Sequence, residues 1–309
     1  MRKSEGRSPF IRLGYASRAR APGSCRMAPA RPAAVAGEFY PSDRASLAAL
    51  VDASLERART PLGNAPVALL APHAGYAFCG RIIAEAWRQA RQRAVDLIVI
   101  LGTNHKVAGF DRVSIWVQGA WRTPLGLAGV DEPAGRALLE ADPSDCVTDP
   151  LPHRYEHSVE IQLPFAQRLF PGVPILPVVV ACSELEPCTR LGAALARVVR
   201  TRRALIVASS DLSHYPPRAE AERVDQATLA AAASLDPAGL KQTIGSQMAR
   251  GAPGLVTCAC GEAPLLVAMA AARLLGATRG EVLAYANSAD IPFGDPHAVV
   301  GYGAVAFVP

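Results

Sequence analysis

The chain has 309 residues, half of them hydrophobic, and a formal net charge of +5. That length and apolar content suit one large α/β domain or two ordinary ones and exclude a disordered protein. The positive charge sits at the start: residues 1–31 hold seven Arg, one Lys and one Glu, so the rest is slightly acidic and offers no electrostatic footprint for nucleic acid.

In chain order, the basic leader comes first. Residues 1–30 lack the apolar core of a secretory signal, so they read as a disordered arm or as sequence upstream of a true start at Met27. A single α/β domain is expected over 31–309, since no Pro/Gly-rich linker interrupts it. No stretch reaches the roughly 18 apolar residues of a membrane span; Leu265 to Ala277 comes nearest and Arg273 breaks it. The seven cysteines are scattered with no CxxC, which predicts reduced thiols and a cytoplasmic protein.

After AVAGEFYP (Ala34 to Pro41), Ser42 or Asp43 is placed to cap a helix through Leu47, Val51 and Leu55. VALLAPHAGYAFCG follows, Val67 to Gly80. Its apolar half has no helical period and predicts a buried strand, which Pro72 ends. His73 then lies just past a strand's carboxyl end, Tyr76 belongs to the same loop, and a helical pattern is expected after Gly80. LIVILGTNH repeats the design, with a strand from Leu97 to Leu101, then Gly102 and His105. Strand, helix, strand within about 35 residues is a βαβ unit, whose parallel strands deliver both loops to one sheet edge. Ligands of open α/β sheets bind at that edge. His73 and His105 are therefore expected to be neighbours in space.

VSIWV (Val113 to Val117) alternates like a strand with one exposed face, and Trp121 to Gly129 is turn-rich. In EHSVEIQLPFAQRLF, Glu156 to Phe170, apolar spacing predicts an amphipathic helix. His157 and Glu160 would share a face near its amino end, with a kink or break at Pro164. His157 either joins the site or holds Glu160 and the preceding loop. Val173 to Ala181 and Ala204 to Ala208 are further buried strands. The second of these delivers Ser209, Ser210, Asp211 and His214. Alanine-rich helices follow, and then LVTCACGEAPLL, in which Cys260 and Gly261 precede a helix starting near Pro264. A thiol at that positive dipole end is expected to have a lowered pKa. Two strands, from Leu283 and from Val299, close the chain.

Neither GxGxxG nor GxxxxGK[ST] is present, so nucleotide binding has no motif behind it. Three chemistries compete for these loops. His73, His105 and Cys260 bind one metal, with His214 as an acid/base and Asp211 beside it. Alternatively Cys260 is a nucleophile with a histidine base. Third, Ser209 or Ser210 is a nucleophile with Asp211 and His214, a weak arrangement because no GxSxG elbow exists.

AVAGEFYP, PHAGYAFCG, LGTNH, EHSVEIQLPF, SSDLSHY and CGEAPL occur in an order that resembles the Memo family, also called AmmeMemoRadiSam system protein B, over residues 33–309. The resemblance implies an α/β/α three-layer sandwich with a mostly parallel mixed sheet, similar to class III extradiol dioxygenases. By that likeness His73, His105 and Cys260 match the metal pocket, and His214 the acid/base histidine. Cys258 leaves the third ligand position ambiguous. A thiolate replaces the dioxygenases' carboxylate, so ring cleavage does not carry over. Fe(II) is the implied metal, with copper or zinc as alternatives. The implied partners are a small-molecule substrate, a radical SAM protein and an AMMECR-like protein. The expected function is an iron-dependent redox enzyme; the alternative is a non-catalytic metal- or protein-binding module on a repurposed dioxygenase fold.

Overall fold

The computed structural model describes residues 30–309. The reading of the leader as a disordered arm or misassigned start falls on residues 1–29, outside the described residues. In chain order the elements are β1 (Ala30–Arg31), α1 (Arg44–Arg57), β2 (Ala68–Ala71), α2 (Tyr76–Gln89), β3 (Leu97–Gly102), β4 (Val113–Ile115), β5 (Ala120–Thr123), β6 (Gly126–Gly129), α3 (Glu132–Ala141) and β7 (Cys146–Val147). There follow α4 (Leu151–Arg154), a 3₁₀ turn at Glu160–Gln162, α5 (Leu163–Leu169), β8 (Ile175–Val180), α6 (Leu185–Val199) and β9 (Ala204–Ser209). The chain closes with α7 (Arg218–Ala233), α8 (Pro237–Ala249), α9 (Glu262–Leu274), β10 (Arg279–Asn287), a 3₁₀ turn at Ser288–Asp290 and β11 (Gly301–Val308).

Eight strands form one mixed sheet in the order β10-β11-β2-β9-β3-β8-β4-β7. Its centre, β2-β9-β3-β8, is parallel, and antiparallel neighbours join it on both sides. Each central strand sends alternate side chains to opposite apolar clusters. Leu70, Val99 and Ile206 meet α6, α7 and α9 on one face, while Leu69, Ile98, Ile100 and Val207 meet α1, α2 and α5 on the other. Burial on both faces is why these strands are apolar throughout instead of alternating. The result is the three-layer α/β/α sandwich that the sequence implied.

Several local expectations are corrected. The helix predicted after Gly80 already begins at Tyr76, with Gly75 as its N-cap. Val113 to Ile115 has no exposed face: Ser114 is fully buried, and its hydroxyl donates to the Asp149 carbonyl. The turn-rich stretch near Trp121 is a hairpin, β5–β6, which pairs with β1 in a second, three-stranded sheet. The predicted amphipathic helix does not start at Glu156. A 3₁₀ turn and then α5 replace it, and Pro164 lies in the first turn of α5, where its missing N–H costs nothing.

Candidate metal centre

Strand register assembles the site. Ala71 of β2 pairs with Ser209 of β9, and Ala208 pairs with Leu101 of β3. The three strands therefore end level, and the residues just beyond them share one edge. His73, two past Ala71, sits beside Asp211, two past Ser209: the Asp211 carboxylate accepts from the His73 N–H at 2.7 Å and from the Ala74 N–H at 3.3 Å. The His73 and His105 rings lie 5.2 Å apart, nearly perpendicular.

Cys260 arrives from the opposite layer, just before α9. Gly261 lets it approach, because a Cβ there would stand 2.5 Å from the Ser209 carbonyl oxygen and 2.6 Å from Ser210 Cβ. The Gly261 N–H donates to Ser210 Oγ at 2.8 Å, fixing this loop to the end of β9. Cys260 Sγ consequently lies 3.1 Å from His73 Nε2. One donor atom from each of His73, His105 and Cys260 falls within 4.8 Å of the others, and the same holds for Asp211, His214 and Cys260. Cys258 is fully buried among core residues of the sheet's α9 face.

A third group, His105, Glu156 and His157, meets the same distance criterion. Glu156 is the residue sequence reasoning missed. Its carboxylate is wholly buried and accepts from the backbone N–H groups of His105, His157 and Ser158 at 2.7–2.9 Å. His105 Nδ1 lies 2.9 Å and His157 Nδ1 3.2 Å from the same group. Burial would push this carboxyl upward, but the hydrogen bonds from His105 and His157 overcome it and hold the group ionised, far below the usual range. An ionised carboxylate only accepts, so His105 carries its proton on Nδ1 and keeps the Nε2 lone pair for a metal. The glycine at 102 makes this docking feasible: a Cβ there would stand 2.5 Å from Ser158 Oγ and 2.7 Å from Val159 Cγ2. The signal was present in the EHS triplet, but a helical reading pointed to Glu160 instead.

Glu160 and Tyr76, both expected in the pocket, belong to the scaffold. Because residues 156–159 are not helical, His157 and Glu160 point apart. Glu160 forms a buried ion pair with Arg31 at 2.5 Å and accepts from the Tyr40 hydroxyl at 2.6 Å. Tyr76 packs in the core and donates to the Ile161 carbonyl at 2.7 Å. His157 does join the histidine cluster, stacked on His105 at 4.6 Å.

The lowered thiol pKa expected for Cys260 is also corrected. Burial, with the Asp211 carboxylate adding to it, pushes the thiol well above its ordinary value. Burial, and then the neighbouring imidazoles, push His73 well below its own. Without an ion both groups are neutral, so a thiolate–imidazolium pair of the kind a thiol hydrolase needs is disfavoured from both sides. A metal would reverse this, since it displaces the thiol proton directly. The serine-nucleophile reading fails as well. Ser209 and Ser210 are fully buried, and their hydroxyls donate to the carbonyls of Ser158 and Asp211 at 2.6 Å.

His214 is partly buried, its Nε2 has no partner among the described residues, and burial pushes its pKa down to about 4. Burial likewise pushes Asp211 up to about 6, against the opposing N–H groups of His73 and Ala74. Both residues line a cavity of about 330 Å³ with His157, Phe39, Phe78, Tyr215 and Tyr302. Tyr215 adopts φ 68°, a conformation that costs a non-glycine residue energy and is concentrated at functional sites. Among the described residues, no helix is long and apolar enough to cross a membrane.

The chain matches the family described as "Memo-like protein" over residues 31–306. A "MEMO1 family protein" of Aeropyrum pernix is 38% identical over 87% of this chain and 96% of its own. Another of that name, from Nitrosopumilus maritimus, is 32% identical over 89% and 98%. The solved structure of an uncharacterized protein, JW3007, from Escherichia coli K12 is similar with TM-score 0.49 at 14% identity, over 76% of this chain and 98% of its own. The matched span, residues 31–306, contains the loops that carry His73, His105, His157, His214 and Cys260, and with relatives 32–38% identical over most of both chains, the chain belongs to the Memo-like protein family.

Proposed function

We propose that this protein is a non-haem, metal-dependent redox enzyme acting on a small molecule held in the cavity beside His214. The observation that carries the reading is the convergence of the His73, His105 and Cys260 donor atoms within 4.8 Å of one another. Two imidazoles and one thiolate would hold a divalent ion and leave positions open, as catalytic sites require. These donors suit iron, copper and zinc, and the two-histidine set with open positions favours Fe(II), with copper or zinc as alternatives. Bound iron would supply one-electron chemistry toward a substrate or dioxygen.

The chain's own residues supply the rest. Glu156 orients His105 by accepting from its Nδ1–H. Asp211 holds the His73 backbone in place. His214 lines the cavity, is neutral at pH 7 and has an unpartnered Nε2, and it accepts a substrate proton as general base. Phe39, Phe78, Tyr215 and Tyr302 give the cavity largely aromatic walls against which a small substrate can pack. A radical SAM protein and an AMMECR-like protein are the proposed partners, a suggestion supported by the family resemblance alone.

The test is elemental analysis of protein purified anaerobically. Wild type is expected to carry one iron per chain, and His214→Ala is expected to keep it while losing any turnover. Loss of metal from His214→Ala would place that residue on the ion through the Asp211–His214–Cys260 group. Zinc alone would favour the non-catalytic module, and protein that neither retains nor takes up metal would end the metal reading.

A further inference from the structure

His73 has the same requirement as His105, a proton on Nδ1 and a free Nε2, but among the described residues no carboxylate faces its Nδ1. The ring's partner there is Ser209 Oγ, at 3.2 Å. A hydroxyl can donate or accept, so this contact alone does not decide the tautomer. The rest of the network does. The Trp87 indole N–H, which can only donate, lies 2.8 Å from Gln162 Oε1. That fixes the Gln162 amide, whose NH₂ then donates to the Pro72 carbonyl at 2.8 Å and to Ser209 Oγ at 2.9 Å. The Ser209 hydroxyl spends its single proton on the Ser158 carbonyl, at 2.6 Å, a separation that two oxygens hold only with a hydrogen between them. Ser209 Oγ is left with one lone pair and can only accept from His73.

We propose that Ser209 is a positioning residue, held as an acceptor by Trp87, Gln162 and Ser158, which locks His73 in the Nδ1–H tautomer and aims the Nε2 lone pair at the metal site. His73, Trp87, Ser158, Gln162 and Ser209 are all fully or almost fully buried, so water does not substitute for any of their polar groups. The two histidine ligands are thus prepared by different chemistry, His105 by a carboxylate and His73 by a neutral relay that adds no charge beside the ion. The proposal rests on the metal reading for its purpose, while the tautomer itself is a property of the metal-free protein.

The experiment has two readouts. Long-range ¹H–¹⁵N correlation spectra of metal-free, ¹⁵N-histidine-labelled protein report which ring nitrogen carries the proton, with His73 assigned by its absence in His73→Ala. Wild type is expected to show a protonated Nδ1 and a bare Nε2; a proton on Nε2 would overturn the proposal even if every variant misfolded. In Ser209→Ala, His73 loses its acceptor and is expected to shift toward the Nε2–H form, which can face Cys260 Sγ. Titration with Co(II), followed by its thiolate absorption, should then show affinity weakened about 10–100-fold. An unchanged tautomer and unchanged Co(II) affinity in a folded Ser209→Ala would also overturn the proposal. Failure of wild type to bind Co(II), with His73 still Nδ1-protonated, would count against the metal reading and leave the relay standing.

Discussion

Cys258 and Cys260 lie two residues apart in one loop, and the sequence alone leaves both as ligands. The structure separates them by what each faces. Cys260 Sγ is 3.1 Å from His73 Nε2, whereas Cys258 is enclosed by the core and its thiol is pushed up to about 11 by burial. Cys260→Ser is therefore expected to lose more than the about 10–100-fold in metal affinity that indirect positioning changes cost. Cys258→Ser should keep wild-type affinity, as measured by competition with a chromophoric chelator. Equal losses in both variants would show that both sulfurs reach the ion.

The elements around the site are held by two buried carboxylates outside it. Arg31, the last arginine of the basic leader by composition, is the first buried charge of the fold. Its guanidinium pairs with Glu160, donates to the carbonyls of His153 and Glu156, and lies 4.0 Å from the Trp121 ring centroid. This fastens β1 to the loop that carries Glu156 and His157. Arg31→Met leaves Glu160 buried without its cation, and a loss of about 3–5 kcal/mol in urea unfolding is expected; a loss below about 1 kcal/mol would show that Tyr40 and the backbone donors suffice.

Asp225 of α7 does the same for the His214 loop, accepting from the Ser213 N–H and hydroxyl and from the Tyr285 hydroxyl. Burial raises its pKa to about 6, against those hydrogen bonds, so the protonated form is the one the fold favours. The associated stability is present below the ordinary carboxylate pKa and is lost as pH rises through about 6. By linkage it amounts to about 3 kcal/mol at most. Asp225→Asn should weaken the fall in stability between pH 4 and 7, leaving the part that Asp211 contributes, and an unaltered pH profile would exclude Asp225 as a source.

Considered whole, the molecule uses the carboxyl edge of the sheet's parallel centre as an assembly point for loops far apart in sequence, from both helical layers. A ligand bridging those loops binds the folded chain alone and so stabilises it. At 100 times its dissociation constant an ion adds about 2.7 kcal/mol, which is a rise of several degrees in Tm for a domain of this size. Scanning calorimetry with and without Co(II) in excess, at a free concentration about 100 times its dissociation constant, measures it. The rise should vanish in Cys260→Ser, and a rise that persists there would place the ion elsewhere.

Local chemistry determined much of this protein before folding is considered. The apolar runs that cannot be half-exposed, the prolines and glycines that end them, and the histidines just beyond were enough to place the buried strands and to bring His73 and His105 to one edge. Tertiary structure decided what depended on which strand lies beside which. The insertion of β9 between β2 and β3 brings Asp211 under His73, and the docking of Ser158 against Gly102 turns Glu156 inward while Glu160 turns to Arg31. A periodicity argument could not find this, because residues 156–159 take their conformation from hydrogen bonds to Thr103 and His105, not from their own spacing. The proton positions follow the same rule. Whether a serine donates or accepts is fixed by partners 47 and 51 positions away in sequence, and only the packed core brings them within 3 Å.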